Sequence, residues 1–184
     1  MTKIILASGS PRRAEILGDM GIDFEVLTRP TDENIDDGTP ADEAVAVLAD
    51  RKARAVANEH PDRVVLAADT VVALDGRILG KPSDAADAAD MLRALSGRTH
   101  QVYTGVSIIK DGVSDTFVCG TEVEFYPLTD GEIADYIASG EPMDKAGAYG
   151  VQGLGRVLVR AIRGDFFTVM GLPAAEVWRR LKNI

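Results

Sequence analysis

The apolar positions of this 184-residue chain switch period several times. KIILA (3–7) is a short apolar run, and VVLAADTVVAL (64–74) is a longer one with Val, Leu or Ala at nearly every position. Such runs predict strands buried on both faces. FEVLT (24–28), HQVYTGVSII (100–109), TFVCGTEVEF (116–125) and RVLVRAI (156–162) predict further strands. Asp75-Gly76 and Asp111-Gly112 are tight-turn dipeptides. They fold ALDGRIL back as one hairpin and join 100–109 to 116–125 as another.

Between the strands the period becomes helical. Ser10 and Pro11 suit the start of a helix running to about Met20, with Ile16, Leu17 and Met20 on one face and Gly21 as its stop. Thr39-Pro40 opens a long helix to about Asn58. Ser83 caps another that closes at Ser96-Gly97. Thr129 and Glu132 form a capping box for one ending near Ser139, and AAEVWRRLKN (174–183) is the last. RPTDENIDDGTP (29–40), KAGAYGVQGLG (145–155) and GDFFTVMGLP (164–173) read as loops. Alternating strands and helices with inserted hairpins predict an α/β fold, a mixed central sheet with flanking helices. No repeat or linker divides the chain, so residues 1–184 are expected to form a single domain.

Composition narrows the function. A formal charge of −9 disfavours a general nucleic-acid or anionic-membrane binder, because phosphate affinity is built from many Lys and Arg contacts. One cysteine, Cys119, permits no intramolecular disulfide and fits a reducing compartment. There is no signal-like start and no long apolar span, so a cytoplasmic protein is expected.

Against this background Asp69 stands out, a carboxylate in the middle of the most apolar strand. Burying it alone costs far more than one strand supplies, so it is either protonated or met by a cation. Lys52 is a candidate partner. It lies on the apolar stripe of the long helix, at i+4 from Leu48 and i+3 from Ala49, where snorkelling to water is the plainer account. Lys81, in LGKPS, is a second cation held between Gly80 and Pro82. SGSPRR places Ser8, Ser10, Arg12 and Arg13 where a strand hands over to a helix N-terminus. Cations there oppose the macrodipole and are better tolerated with an anion between. Gln152, in the glycine-rich loop, carries an amide able to read a base edge. His60 and His100 flank predicted elements and read as surface or strand-end residues. With one cysteine they give neither a zinc site nor a support for a Ser-His-Asp triad. Oxygen donors are plentiful, so Mg²⁺ or Mn²⁺ is the metal that Asp69, Glu33 and Ser8 could serve. A basic anion pocket beside a buried carboxylate suits phosphate substrates, with Asp69 as water-activating base or metal ligand.

SGSPRR, the Lys52-Ala53 pair, AADTVV, GKP, LSGRTHQVYTGV, DKAGAYGVQG and GLP, in this order, resemble the Maf family of nucleoside triphosphate pyrophosphatases. The resemblance spans Ala7 to Pro173. It implies a fold like that of inosine triphosphate pyrophosphatases, with a cleft between two lobes. It also implies hydrolysis of a nucleoside triphosphate to the monophosphate and diphosphate in a house-cleaning role. Members are typically cytoplasmic, use a divalent metal and are often dimers, which admits a homodimer here. Asp69 matches the family's proton acceptor. Arg12, Thr70 and Gln152 match positions linked to substrate choice, and Arg12 resembles the subgroup acting on dTTP and UTP. Ser8, Arg13, Glu33, Lys52 and Lys81 match the phosphate and metal pocket. Thr168 departs from the Asn usual before this Val. Three alternatives stay open at this point. One is another nucleotide target such as 7-methyl-GTP or a modified pyrimidine nucleotide. Another is a regulator of septum formation and cell division that binds nucleotide without turnover. The last is a structural domain whose Asp69 is merely paired with Lys52 or Lys81.

Overall fold

The computed structural model describes residues 3–36 and 38–184. Its strands form one mixed sheet in the order β2 (Phe24–Val26), β1 (Ile4–Leu6), β3 (Val65–Leu74), β5 (Thr99–Lys110), β6 (Val113–Phe125), β7 (Val159–Arg163), with β4 (Arg77–Leu79) paired to β3. β1 runs parallel to β2 and β3, and the remaining pairs are antiparallel. The helices are α1 (Pro11–Asp19), α2 (Ala41–Ala57), α3 (Ala85–Leu95), α4 (Asp130–Ala138), α5 (Phe166–Met170) and α6 (Ala174–Leu181). This is the α/β class expected, a mixed central sheet with flanking helices. Among the described residues no helix is long and apolar enough to cross a membrane.

Both hairpins form where Asp-Gly placed them. Asp75 and Asp111 have φ of 50° and 49°, followed by Gly76 and Gly112 at 78° and 77°, the left-handed pair that a two-residue turn requires. The capping box of Thr129 and Glu132 is present on α4.

The alternation of β3 sorts its side chains. Val65, Ala67, Val71 and Ala73 face α2, packing with Ala53, Val56, Val45 and Ala41. On the opposite face Leu66 and Ala68 join a cluster with α1 and α6, including Ile16, Leu17, Val177 and Leu181. Val72 and Leu74 join a separate cluster with α3 and α4, including Leu92, Leu95, Ile133 and Tyr136. Thr70 lies between the two clusters, which makes them two lobes on one face of the sheet.

The edge of β3 is interrupted at the same place. β1 pairs with Val65 and Leu66 only, and β4 pairs with Val72–Leu74. Among the described residues no strand lies beside 67–71 on that edge. The chain leaves β1 at Ala7, whose N–H still donates to Leu66 O at 2.7 Å, and turns away into α1. A switch in strand partner of this kind opens a crevice at the carboxyl end of a parallel strand.

Local expectations need correction in several places. The cap of α3 is Asp84, whose side chain accepts from Asp87 N–H, while Ser83 donates to the Asp87 carboxylate instead. Ser10 occupies the N-cap of α1, but its hydroxyl makes no capping bond. Residues 164–173 are not all loop, because Asp165 accepts from the N–H groups of Phe167 and Thr168 and starts α5. Residues 153–158 form a 3₁₀ turn, so the strand expected from 156 begins at Val159. His100 is the second residue of β5, at a strand end as expected, but it is only 2 % exposed and so belongs to the core rather than the surface.

Candidate active site

The cleft between the two lobes has a volume of about 630 Å³, within the range of small-molecule sites. Ser8, Ser10, Arg12, Arg13, Lys52, Asp69, Thr70, Lys81 and Gln152 all line it. Nine residues singled out in separate stretches of sequence are thus brought to one hollow. Glu33 lies in an adjoining hollow of about 340 Å³ that shares Ser8, Arg13 and Lys52.

Asp69 is met by a cation. Lys52 Nζ lies 2.6 Å from Asp69 Oδ1 and 2.8 Å from Glu33 Oε1. Burial disfavours the Lys52 ammonium, yet the two carboxylates outweigh it and hold its pKa above the ordinary lysine value. Lys52 in turn keeps Glu33 below the usual carboxylate range through its hydrogen bond and charge. The side chain of Asp69 is 15 % exposed. Among the described residues no hydrogen bond reaches its second oxygen, and Asp69 lines the cleft.

The register explains how Lys52 arrives. Asp69 pairs with Gly105 and therefore shares its face toward α2. A Cβ on Gly105 would collide with the Val45 carbonyl, so only glycine lets α2 lie this close to the sheet. Lys52 sits two turns further along α2 and reaches Asp69 across the shortened gap. Snorkelling to water is therefore not its role.

Arg13 is fixed from the other face. Its Nε donates to Gly171 O at 2.8 Å, one terminal nitrogen to Ser8 Oγ at 2.9 Å, and the other to Thr70 Oγ1 at 3.1 Å. Burial lowers its pKa to about 10, with Asp69 opposing and Arg12 adding to the drop. It remains a cation at neutral pH. Thr70 Oγ1 stands 2.9 Å from Thr104 Oγ1, and Thr104 donates to Thr168 O at 2.8 Å. Thr168 itself is fully buried, and its hydroxyl donates to Asp165, so the departure noted in sequence affects a local cap rather than the cleft. Among the described residues neither Arg12 nor Lys81 forms an ion pair. α1 carries no acidic residue in its first turn, so its N–H groups and both arginines add positive charge to this end of the cleft.

No cluster of three or more His, Cys, Asp or Glu able to hold a metal exists among the described residues. Two carboxylates, Asp69 and Glu33, already converge on one cationic point. One or two hard oxygen donors with the remaining positions left to phosphate and water is the donor set Mg²⁺ takes at phosphate sites. The residues present fit a divalent cation shared with a substrate.

Sequence reasoning left Glu141, Asp144 and Tyr149 out of the site, although all three line the cleft. Asp144 and Tyr149 fall within the DKAGAYGVQG motif, which pointed to their neighbourhood, whereas nothing in the sequence marks Glu141. Gly171 contributes a backbone carbonyl to Arg13, which a side-chain search cannot find, although the GLP motif pointed to its neighbourhood.

The profile of the family described as Maf-like protein matches residues 3–184. The chain belongs to the Maf family. Among curated relatives, the dTTP/UTP pyrophosphatase of Bacillus mycoides (strain KBAB4) is 52% identical over 183 residues, covering 100% of this chain and 96% of that protein. The dTTP/UTP pyrophosphatase of Halalkalibacterium halodurans is 50% identical over 182 residues, 99% of this chain and 96% of its own. The solved structure of a HAM1 protein from Coxiella burnetii aligns with 100% of this chain and 90% of its own at 17% identity and a TM-score of 0.49, too distant to inform the site. Membership of the Maf family accords with the ordered motifs that meet in the cleft.

Proposed function

We propose that this Maf-family chain hydrolyses dTTP and UTP to the monophosphate and diphosphate. The observation that carries the reading is the placement of Asp69. Its carboxylate is tied to Lys52 through one oxygen and opens to a cleft rimmed by Arg12, Arg13, Lys52 and Lys81. The two relatives named dTTP/UTP pyrophosphatase, alike over nearly their whole length, support the choice of substrate.

In this reading the four cations neutralise the triphosphate, since phosphoryl chemistry depends chiefly on positioning and charge. The free oxygen of Asp69 accepts a proton from a water. The water oxygen forms a bond to the α-phosphorus, the α–β bridging P–O bond breaks, and diphosphate leaves. A divalent cation, when bound, supplies further neutralisation of the phosphate oxygens, and Asp69 and Glu33 would hold it. Lys52 orients both carboxylates. Thr70 and Gln152 meet the pyrimidine.

The test is hydrolysis of dTTP, UTP, CTP and 7-methyl-GTP with and without Mg²⁺ or Mn²⁺, identifying both products. Diphosphate and monophosphate from dTTP and UTP are expected, with Asp69→Asn slower by about a hundredfold or more, the scale of a general base. Release of orthophosphate, preference for 7-methyl-GTP, or tight nucleotide binding without turnover overturns the reading.

A further inference from the structure

Residues 150–155 carry Gln152 into the cleft, and both ends of this segment are tied to the same pair of side chains. Gly150 N–H donates to the Tyr136 hydroxyl at 3.1 Å, and that hydroxyl donates to Glu141 Oε1 at 2.9 Å. Gly155 N–H donates to Glu141 Oε1 at 3.0 Å, and Leu154 N–H to Oε2 at 2.8 Å. The space around this knot is filled. Gly153 has φ of +65°, and a Cβ there would collide with the Glu141 carboxylate. A Cβ on Gly155 would collide with the Gly150 carbonyl and lie 2.6 Å from the Tyr136 hydroxyl oxygen. Glu141 also lines the cleft, beside Gln152. Burial works against its ionisation, but the two backbone N–H groups and Tyr136 outweigh it, so the carboxyl sits below its usual range and is an acceptor at neutral pH.

Uracil and thymine present a ring N–H donor beside a carbonyl acceptor, whereas cytosine presents the reverse. A glutamine amide has both a donor and an acceptor side, and by rotating it satisfies either pattern. The amide alone therefore does not discriminate; its distance and angle to the base, set by the backbone that carries it, decide how well each pattern is met.

We infer that Glu141, acting through Tyr136 and the backbone of 150–155, is a positioning residue that sets the reach of Gln152 and so the choice between pyrimidines. The inference rests on the reading that Gln152 meets the base. A purely structural cap would lower stability without moving base choice.

The experiment measures kcat and KM for UTP and CTP, with Mg²⁺, in Glu141→Ala, Glu141→Gln, Tyr136→Phe, Gln152→Ala and the Glu141→Ala/Gln152→Ala double variant. Tyr136→Phe removes one oxygen and serves even if Glu141→Ala folds poorly. Glu141→Ala and Tyr136→Phe should raise KM for UTP about tenfold, within the loss that an ångström-scale misplacement produces. Their kcat should change less, and the UTP-over-CTP ratio of kcat/KM should fall severalfold. Glu141→Gln, which keeps an acceptor oxygen, should recover part of the ratio. In the double variant the ratio should be no lower than in Gln152→Ala alone, the non-additivity of residues acting as a unit. If Gln152→Ala moves the ratio and neither Glu141→Ala nor Tyr136→Phe does, or if their effects multiply independently, the inference fails and the base reading stands. If Gln152→Ala leaves the ratio untouched, the base reading fails and the inference falls with it.

Discussion

Lys52 answers the problem posed by a carboxylate in an apolar strand. It holds Asp69 and Glu33 together, and among the described residues the second oxygen of Asp69 has no hydrogen-bond partner. His100 solves a related problem in the opposite way, by staying neutral. It is enclosed by Phe125 and Tyr149, with the Tyr149 hydroxyl 2.8 Å from Nε2 and Nδ1 without a partner. Burial pushes its pKa down to about 4. The ordinary value of the unfolded chain is 6.5, so the unfolded state binds the proton first on acidification. The stability that depends on a neutral imidazole is complete above about pH 6.5 and is lost as pH falls from there toward 4, by up to about 3 kcal/mol. Thermal melts from pH 7.5 to 4.5 should therefore fall more steeply for the native chain than for His100→Gln, which cannot take up that proton. Parallel slopes would show that this histidine does not set the acid sensitivity.

At the scale of elements, the site exists because, among the described residues, one edge of β3 has no partner strand at 67–71 while α2 lies close beneath it. Gly105 permits that approach. In Gly105→Ala the new methyl meets the Val45 backbone, so α2 must move away and carry Lys52 from Asp69. Overpacking of this kind costs about 1–3 kcal/mol. The rate should fall about tenfold or more as Lys52 and Asp69 separate. Denaturant melts and kcat together check this, and a variant that loses stability but keeps full kcat would break the link between helix height and the ion pair. Much of this arrangement was legible in the sequence. The Asp-Gly turns and the capping box are local signals with one structural solution each, whereas Lys52 on the apolar stripe has two, and the pairing with Asp69 displaces the plainer one, snorkelling. What was not legible depends on distant partners. The loop at 150–155 takes its shape from Tyr136 and Glu141, and Glu33, a metal-ligand candidate in the sequence, is held by Lys52, a contact no local signal announces. α5 is too short for its period to show, and Asp84 outcompetes Ser83 because it reaches Asp87 N–H directly.

The whole molecule divides its core into two clusters on one face of a single sheet, and the cleft lies where they part at Thr70. Against a chain charge of −9, this hollow is a local basic exception, lined by Arg12, Arg13, Lys52, Lys81 and Lys145 against Asp69, Glu141 and Asp144. A ligand seated there touches both lobes and must stabilise them jointly. A non-hydrolysable UTP analogue with Mg²⁺, at about a hundred times its Kd, should add about 2.7 kcal/mol. For a domain of this size that is about 5–10 °C in Tm. Chelation of divalent metal should abolish turnover and the analogue's stabilisation, and Mg²⁺ or Mn²⁺ should restore both. The ligand-free protein should melt at the same temperature with or without chelator, because Lys52 already bridges Asp69 and Glu33 and the fold needs no ion to bring them together. A fall in the ligand-free Tm on chelation would mean that a metal, not Lys52, holds these two carboxylates in place.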